Sequence, residues 1–134
     1  MAKMVLKNAY LSIAAHPSSD HVRSLTINYK AEAPETTAMG DTTKTRLGGL
    51  LDWSLDVEFN QDYVAGNIDA ILFPLVGTSV AIIIRPDTGV KGVDNPEFTG
   101  SAILTDYDPI AGKVGDVAIT KCKFSGNGVL ARGV

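Results

Sequence analysis

The chain has 134 residues, 45% of them hydrophobic and 20% charged, with a single cysteine, which excludes a disordered or fibrous chain and a disulfide-stapled scaffold. Its 12 basic and 15 acidic residues leave a net charge of −3, which argues against a protein that grips nucleic acid by neutralising phosphates. One globular domain over residues 1–134 is expected, large enough to bury about two-thirds of its unfolded surface without a metal.

The opening Met-Ala-Lys-Met-Val-Leu-Lys lacks the layout of a secretory leader, and the longest apolar runs are five residues, far short of a membrane span. A product made in the cytoplasm and not inserted in a membrane is expected. Residues 3–7 and 10–14 are β-prone pieces joined through Asn8-Ala9, which predicts an opening hairpin. The run His16-Pro17-Ser18-Ser19-Asp20 reads as the turn that closes it. Residues 21–30 alternate, with Leu25, Ile27 and Tyr29 on one face and Ser24, Thr26, Asn28 and Lys30 on the other, so a half-buried strand is predicted there.

Residues 31–49 have no apolar periodicity. They carry Pro34, Gly40, Gly48 and Gly49 and only two large apolar side chains, Met39 and Leu47. A connection this long inside a compact domain is uncommon and is usually functional. Alternation resumes over residues 51–59, with Leu51, Trp53, Leu55, Val57 and Phe59 on one face and Asp52, Ser54, Asp56 and Glu58 on the other. Trp53, Phe59 and Tyr29 read as core residues.

Ile68, Ile71, Leu72 and Leu75 follow the spacing of one helical stripe. Asn67 is placed to cap the helix and Asp69 to favour its N-terminal end, while Pro74 limits its length to about two turns. The β-branched run 80–84 predicts a strand covered on both faces. Residues 88–96 read as a loop, residues 98–107 and 116–124 as strands, Gly126-Asn127-Gly128 as a turn and residues 129–131 as a last short strand. Seven or eight strands and one helix predict a mainly β fold, a β-sandwich or partly closed barrel with a flanking helix and a long inter-strand loop.

Little of the sequence suits catalysis. His16 and His21 match no zinc spacing, Cys122 alternates inward as a small hydrophobe, and no Gly-x-Ser-x-Gly, Cys-x-x-Cys or phosphate loop occurs. Asp106-Tyr107-Asp108 lacks the later ligands of a calcium loop. Asp56 and Glu58, about 7 Å apart on one strand face, have a spacing open to acid–base chemistry but fit a solvated surface better. No catalytic residue, metal ligand or cofactor site is expected. Charge is segregated along the chain. No Lys or Arg lies between Arg46 and Arg85, while Lys113, Lys121, Lys123 and Arg132 gather near the end, a pattern suited to contacts between copies.

Several segments taken together resemble the tail tube (major tail) proteins of long-tailed bacteriophages of actinobacteria. They are the N-terminal Met-Ala-Lys-Met-Val-Leu-Lys-Asn-Ala-Tyr-Leu, Ser19-Asp20-His21-Val22-Arg23-Ser24, Thr37-Ala38-Met39-Gly40-Asp41-Thr42-Thr43 and Gly48-Gly49-Leu50-Leu51-Asp52-Trp53-Ser54. Val57-Glu58-Phe59-Asn60-Gln61-Asp62, Leu72-Phe73-Pro74-Leu75-Val76-Gly77 and Ile84-Arg85-Pro86 continue the likeness over nearly the whole chain. Residues 14–19 depart from the pattern.

The resemblance implies a virion protein whose six copies form a ring, the rings stacking into a hollow tube through which DNA passes without specific binding. It implies tape-measure, tail tip and tail terminator partners. Carried over by position, residues 31–49 become an arm to a neighbouring subunit, with Pro34, Thr37, Ala38, Met39, Gly40, Asp41, Thr42, Thr43, Arg46 and Leu47 as contact residues. Thr26, Asn28, Ser54, Asp56 and Glu58 become candidates for the bore, with uncompensated carboxylates repelling DNA. The arm is expected to be disordered in a monomer and ordered in the tube, since fixing each backbone residue costs about 1–2 kcal/mol. Two other functions fit the composition: a monomeric β-sandwich module binding carbohydrate or a host surface, and a head-to-tail joining ring protein of the same fold. The absence of aromatic residues in residues 31–49 favours assembly over the binding module.

Overall fold

In the computed structural model, which describes residues 9–17, 21–64 and 67–134, the first half of the chain forms β1 (Tyr10–Ile13), β2 (His16–Pro17), β3 (Val22–Ala31) and β4 (Leu51–Asn60). Helix α1 (Ile68–Leu72) and a 3₁₀ turn (Phe73–Leu75) follow. Then come β5 (Ser79–Arg85), β6 (Glu97–Tyr107), β7 (Ile119–Gly126) and β8 (Ala131–Gly133). All the strands among the described residues join one eight-stranded antiparallel sheet in the order β2-β1-β5-β6-β7-β4-β3, with β8 paired to β6. The sheet is not closed.

Alternation explains why this sheet has one buried face. Trp53, Leu55, Val57 and Phe59 of β4 lie beside Cys122 and Phe124 of β7, and Leu104 and Ala102 of β6 continue the same surface toward Val80, Ile82 and Ile84 of β5 and Leu11 and Ile13 of β1. Ile68 and Leu72 of α1 complete the core. Leu25 and Ile27 of β3 line one small apolar cavity with Ile84 and Phe98, so the sheet curls until β3 approaches β5 and β6 without hydrogen-bonding to them. This curl makes the fold a partly closed barrel. Trp53 sets its local spacing. The indole lies so close to the backbone of Gly126 and Gly100 that a Cβ there would stand 2.5 Å and 2.7 Å from ring atoms, and Nε1 donates to the Gly128 carbonyl at 3.2 Å. Only glycine permits that approach.

The register defines two ends of the barrel. Ala31 of β3 pairs with Leu51 of β4 at one end, while Val22 pairs with Phe59 and Asn60 pairs with Ile119 at the other. Residues 31–50 and the 127–130 turn leave from the first end. Helix α1 and residues 108–118 belong to the second.

Several expectations change. Residues 3–7, Ser18, Ser19 and Asp20 lie outside the described residues. The hairpin that is described turns at Ala14-Ala15, with φ of 51° and 66°, and His16-Pro17 is a strand paired to β1 rather than the turn. The type I′ turn of such a two-residue hairpin needs φ > 0 at both central positions, and alanine gives no sequence signal for it. β5 is not covered on both faces within the subunit, for Ala81 is exposed and Ile83 half-buried between Val80, Ile82 and Ile84. Tyr29 is 53% exposed, since β3 lies at the sheet edge and its last residues run beyond the core. β7 begins at Ile119 and β8 at Ala131, each later in the chain than the pattern suggests. Asn67 takes the cap position of α1, but its side chain makes no cap hydrogen bond; its Nδ2 donates to Asp62 Oδ2 at 2.8 Å instead.

Candidate functional site

Residues 31–50 are all exposed, yet they are not irregular. The β3–β4 ladder continues into them: the Glu32 N–H donates to the Leu50 carbonyl at 2.9 Å, the Gly49 N–H to the Glu32 carbonyl at 2.6 Å and the Leu47 N–H to the Pro34 carbonyl at 3.1 Å. Pro34 fits because its position offers only a carbonyl. Glu35 bridges to Arg46, and the Thr36 N–H donates to the Thr45 carbonyl at 2.7 Å. Farther out, the Thr45 N–H donates to Thr37 Oγ1 at 2.9 Å. At the tip the Asp41 N–H donates to the Ala38 carbonyl at 3.1 Å, and Asp41 Oδ2 accepts from the Ala38 N–H at 2.7 Å. Gly40, with φ of 95°, takes the third position of this turn, where φ > 0 is required of a type II turn. Met39 therefore stands at the corner, fully exposed at 104%. Thr42 and Thr43 follow in the return path, and Leu47 is exposed lower down. The arm is a two-stranded ribbon with a main-chain ladder and no side-chain core.

The five residues singled out on the polar faces of β3 and β4 are brought together in the structure. Asn28 pairs with Ser54, Thr26 with Asp56, and Ser24 with Glu58, on the side of the sheet opposite the core. The carboxylates are not uncompensated, which corrects the expectation. Asp56 stands across from Lys123, and Glu58 from Lys121; Lys123 in turn faces Asp106 of β6. Arg23 Nη1 also reaches Glu58 Oε1 at 3.3 Å. The face is thus a lattice of alternating charge that bounds a shallow depression also edged by Asp108. The signal was present in the sequence, since Lys121 and Lys123 flank inward-facing Cys122, but the β4–β7 pairing needed to read it is non-local.

At the helix end, Asp62 organises the chain between β4 and α1. Its Oδ1 accepts from the Val64 N–H at 3.0 Å and its Oδ2 from Asn67, with His21 Nε2 also 3.0 Å away. The Val64 hydrogen bond, then that with His21, hold the Asp62 carboxyl below its ordinary value. Tyr107 Oη donates to Asp69 Oδ1 at 2.7 Å and accepts from Gln61 Nε2 at 3.1 Å. Burial, with the Asp69 hydrogen bond next, raises the Tyr107 phenol well above its usual range. Burial pushes the Cys122 thiol up to about 12, so it stays a neutral thiol. Among the described residues no group of three His, Cys, Asp or Glu side chains is placed to hold a metal ion, and no helix is long and apolar enough to cross a membrane.

This fold, a curled antiparallel sheet with one short helix, is shared with proteins of phage-like particles. A chain from the virion of a native gene transfer agent particle matches with a TM-score of 0.71 at 18% identity, covering 98% of this chain and 100% of that one. A chain from the tail of an empty gene transfer agent particle of C6 symmetry matches with a TM-score of 0.67 at 20% identity, covering 85% of this chain and 83% of that one. At these identities the likeness is one of fold. No protein-family model matches the sequence, and no curated protein matches it.

Proposed function

We propose that this chain is a structural subunit of a phage-type tail tube, which assembles into six-membered rings that stack into a hollow conduit for DNA. The observation that carries this reading is the end-to-end likeness of its fold to a chain of an assembled gene transfer agent virion, with a second likeness to a tail of C6 symmetry. The arm supports it. A ribbon whose side chains bury nothing in their own subunit has its apolar residues, Met39 and Leu47, available for a neighbouring copy, and packing them there offsets part of the ordering cost. In this reading the protein resides in the virion and performs no catalysis. Tape-measure, tail tip and terminator proteins are its partners, and the polar face carrying Thr26, Asn28, Ser54, Asp56 and Glu58 lines the bore. A surface of mixed charge lets a polyanion slide, because Asp56, Glu58 and Asp106 limit what Lys121 and Lys123 can hold.

Negative-stain microscopy of the purified protein tests the reading. Tubes or stacked rings are expected. A persistent monomer with affinity for glycans would establish a binding module instead, and single rings that never stack would establish a joining protein.

A further inference from the structure

We propose that Asn127 is a site of spontaneous modification in the folded subunit: its side-chain amide is lost through a cyclic imide formed with Gly128, and a carboxylate takes its place at the arm end of the barrel. Asn127 stands in the turn between β7 and β8 and is exposed to water. Its own N–H is fixed on the Ser101 carbonyl at 2.8 Å. Its side chain is held far less firmly, since Nδ2 makes a single long hydrogen bond among the described residues, to Ser79 Oγ at 3.4 Å. The next residue supplies the nucleophile. The Gly128 N–H donates to no acceptor among the described residues, and a Cβ added at Gly128, where φ is 106°, would meet nothing within 4 Å. With no side chain in the way, that nitrogen is free to turn toward the amide carbon. Only the far side of the glycine is pinned, by Trp53 Nε1 donating to its carbonyl at 3.2 Å.

The chemistry needs only water. The Gly128 nitrogen attacks Cγ of Asn127, a new N–C bond closes the succinimide ring, and Nδ2 leaves as ammonia with the proton the attacking nitrogen gives up. Water then opens the ring at either carbonyl. Opening at the side-chain carbonyl leaves aspartate in an ordinary main chain; opening at the main-chain carbonyl leaves isoaspartate, with the chain routed through the side chain and longer by a methylene. The other described asparagines each lack a requirement. Pro96 after Asn95 has no N–H to attack, and the Asn95 amide is tied to Asp87, Gly89 and Val90. The Asn67 amide is bound to Asp62, and β-branched Ile68 follows it. Asn28 and Asn60 lie in β3 and β4, where the ladder fixes the backbone and the bulkier Tyr29 and Gln61 come next. At Asn127 either product adds a negative charge, and isoaspartate also lengthens the link that sets β8, whose Ala131, Arg132 and Gly133 pair with Thr99, Phe98 and Glu97.

The test is to age the full-length protein in mildly alkaline buffer and map its peptides by mass spectrometry, with methyl transfer by a protein isoaspartate methyltransferase as the probe of the isomer. Aspartate and isoaspartate should both accumulate at position 127, at least about tenfold faster than any change at Asn28, Asn60, Asn67 or Asn95. The rate should rise with pH, because base removes the Gly128 proton. The same chain unfolded in urea isolates what the fold contributes: the folded rate at Asn127 should stay within about tenfold of the unfolded one. Asn127→Gln, which leaves the backbone as it is, should remove the isoaspartate signal. Gly128→Ala should slow it, and its thermal midpoint is read alongside because alanine is strained at positive φ. Folded protein that keeps Asn127 intact while the unfolded chain loses the amide would overturn the site. Aspartate without isoaspartate would overturn the imide route, as would an isoaspartate signal that persists in Asn127→Gln.

Discussion

The β3–β4 hairpin joins two unlike halves on one continuous ladder. In β4, Trp53, Leu55, Val57 and Phe59 are buried; above Leu51, across the twenty residues numbered 31–50, every side chain is exposed. Main-chain hydrogen bonds run through both halves. The difference teaches that a ladder gives a segment its shape, while stability comes from what its side chains bury. A segment with shape and no burial has side chains free for contacts outside the subunit.

That contrast can be broken by mutation. Phe59→Ala should cost the most, about 3–5 kcal/mol, measured by denaturant unfolding, because Phe59 is fully buried; a loss below 1 kcal/mol would mean that the lower half is not the source of stability. Gly126→Ala should cost about 1–3 kcal/mol, since its Cβ would meet the Trp53 indole and backbone. Tyr107→Phe, which removes the donor to Asp69, should cost roughly 1–2 kcal/mol.

Asp62 sharpens the contrast from the helix end. Its folded-state pKa is lowered, so its contribution is present above the unfolded carboxylate value and is lost as pH falls through the folded one. Asp62→Asn should lower the thermal midpoint at neutral pH and flatten its decline in acid; parallel pH curves for the two proteins would remove Asp62 from the linkage. The smallest effect on stability should come from deleting residues 34–45. The monomer's unfolding midpoint should stay within about 0.5 kcal/mol of wild type, while long tubes disappear under the microscope. Unfolding of the deletion variant would place the arm in the core.

Much of this architecture was legible in the residues. The alternation from Leu51 to Phe59, the stripe of Ile68 and Leu72 and the coreless composition of residues 31–49 each report a local period, or its absence, and local periods survive without knowledge of the fold. The misreadings required partners distant in sequence. Tyr29 follows the apolar alternation of β3 but stands at an edge, and edge position is decided by which strands pair. Ile83 completes a β-branched run whose outer face remains only half covered. The balanced charge of the polar face depends on Asp56 meeting Lys123 some 67 positions later. Ala14-Ala15 escaped because no glycine or asparagine marks its positive φ, and Asn67 because its amide serves Asp62 rather than the helix.

The arm root and helix α1 lie at opposite ends of β4, so the two ends of a subunit differ in chemistry. Any stack in which one end meets the other has direction, and its two termini are chemically different objects. A protein that seals one terminus has no purchase on the other, and growth from the two proceeds at unequal rates.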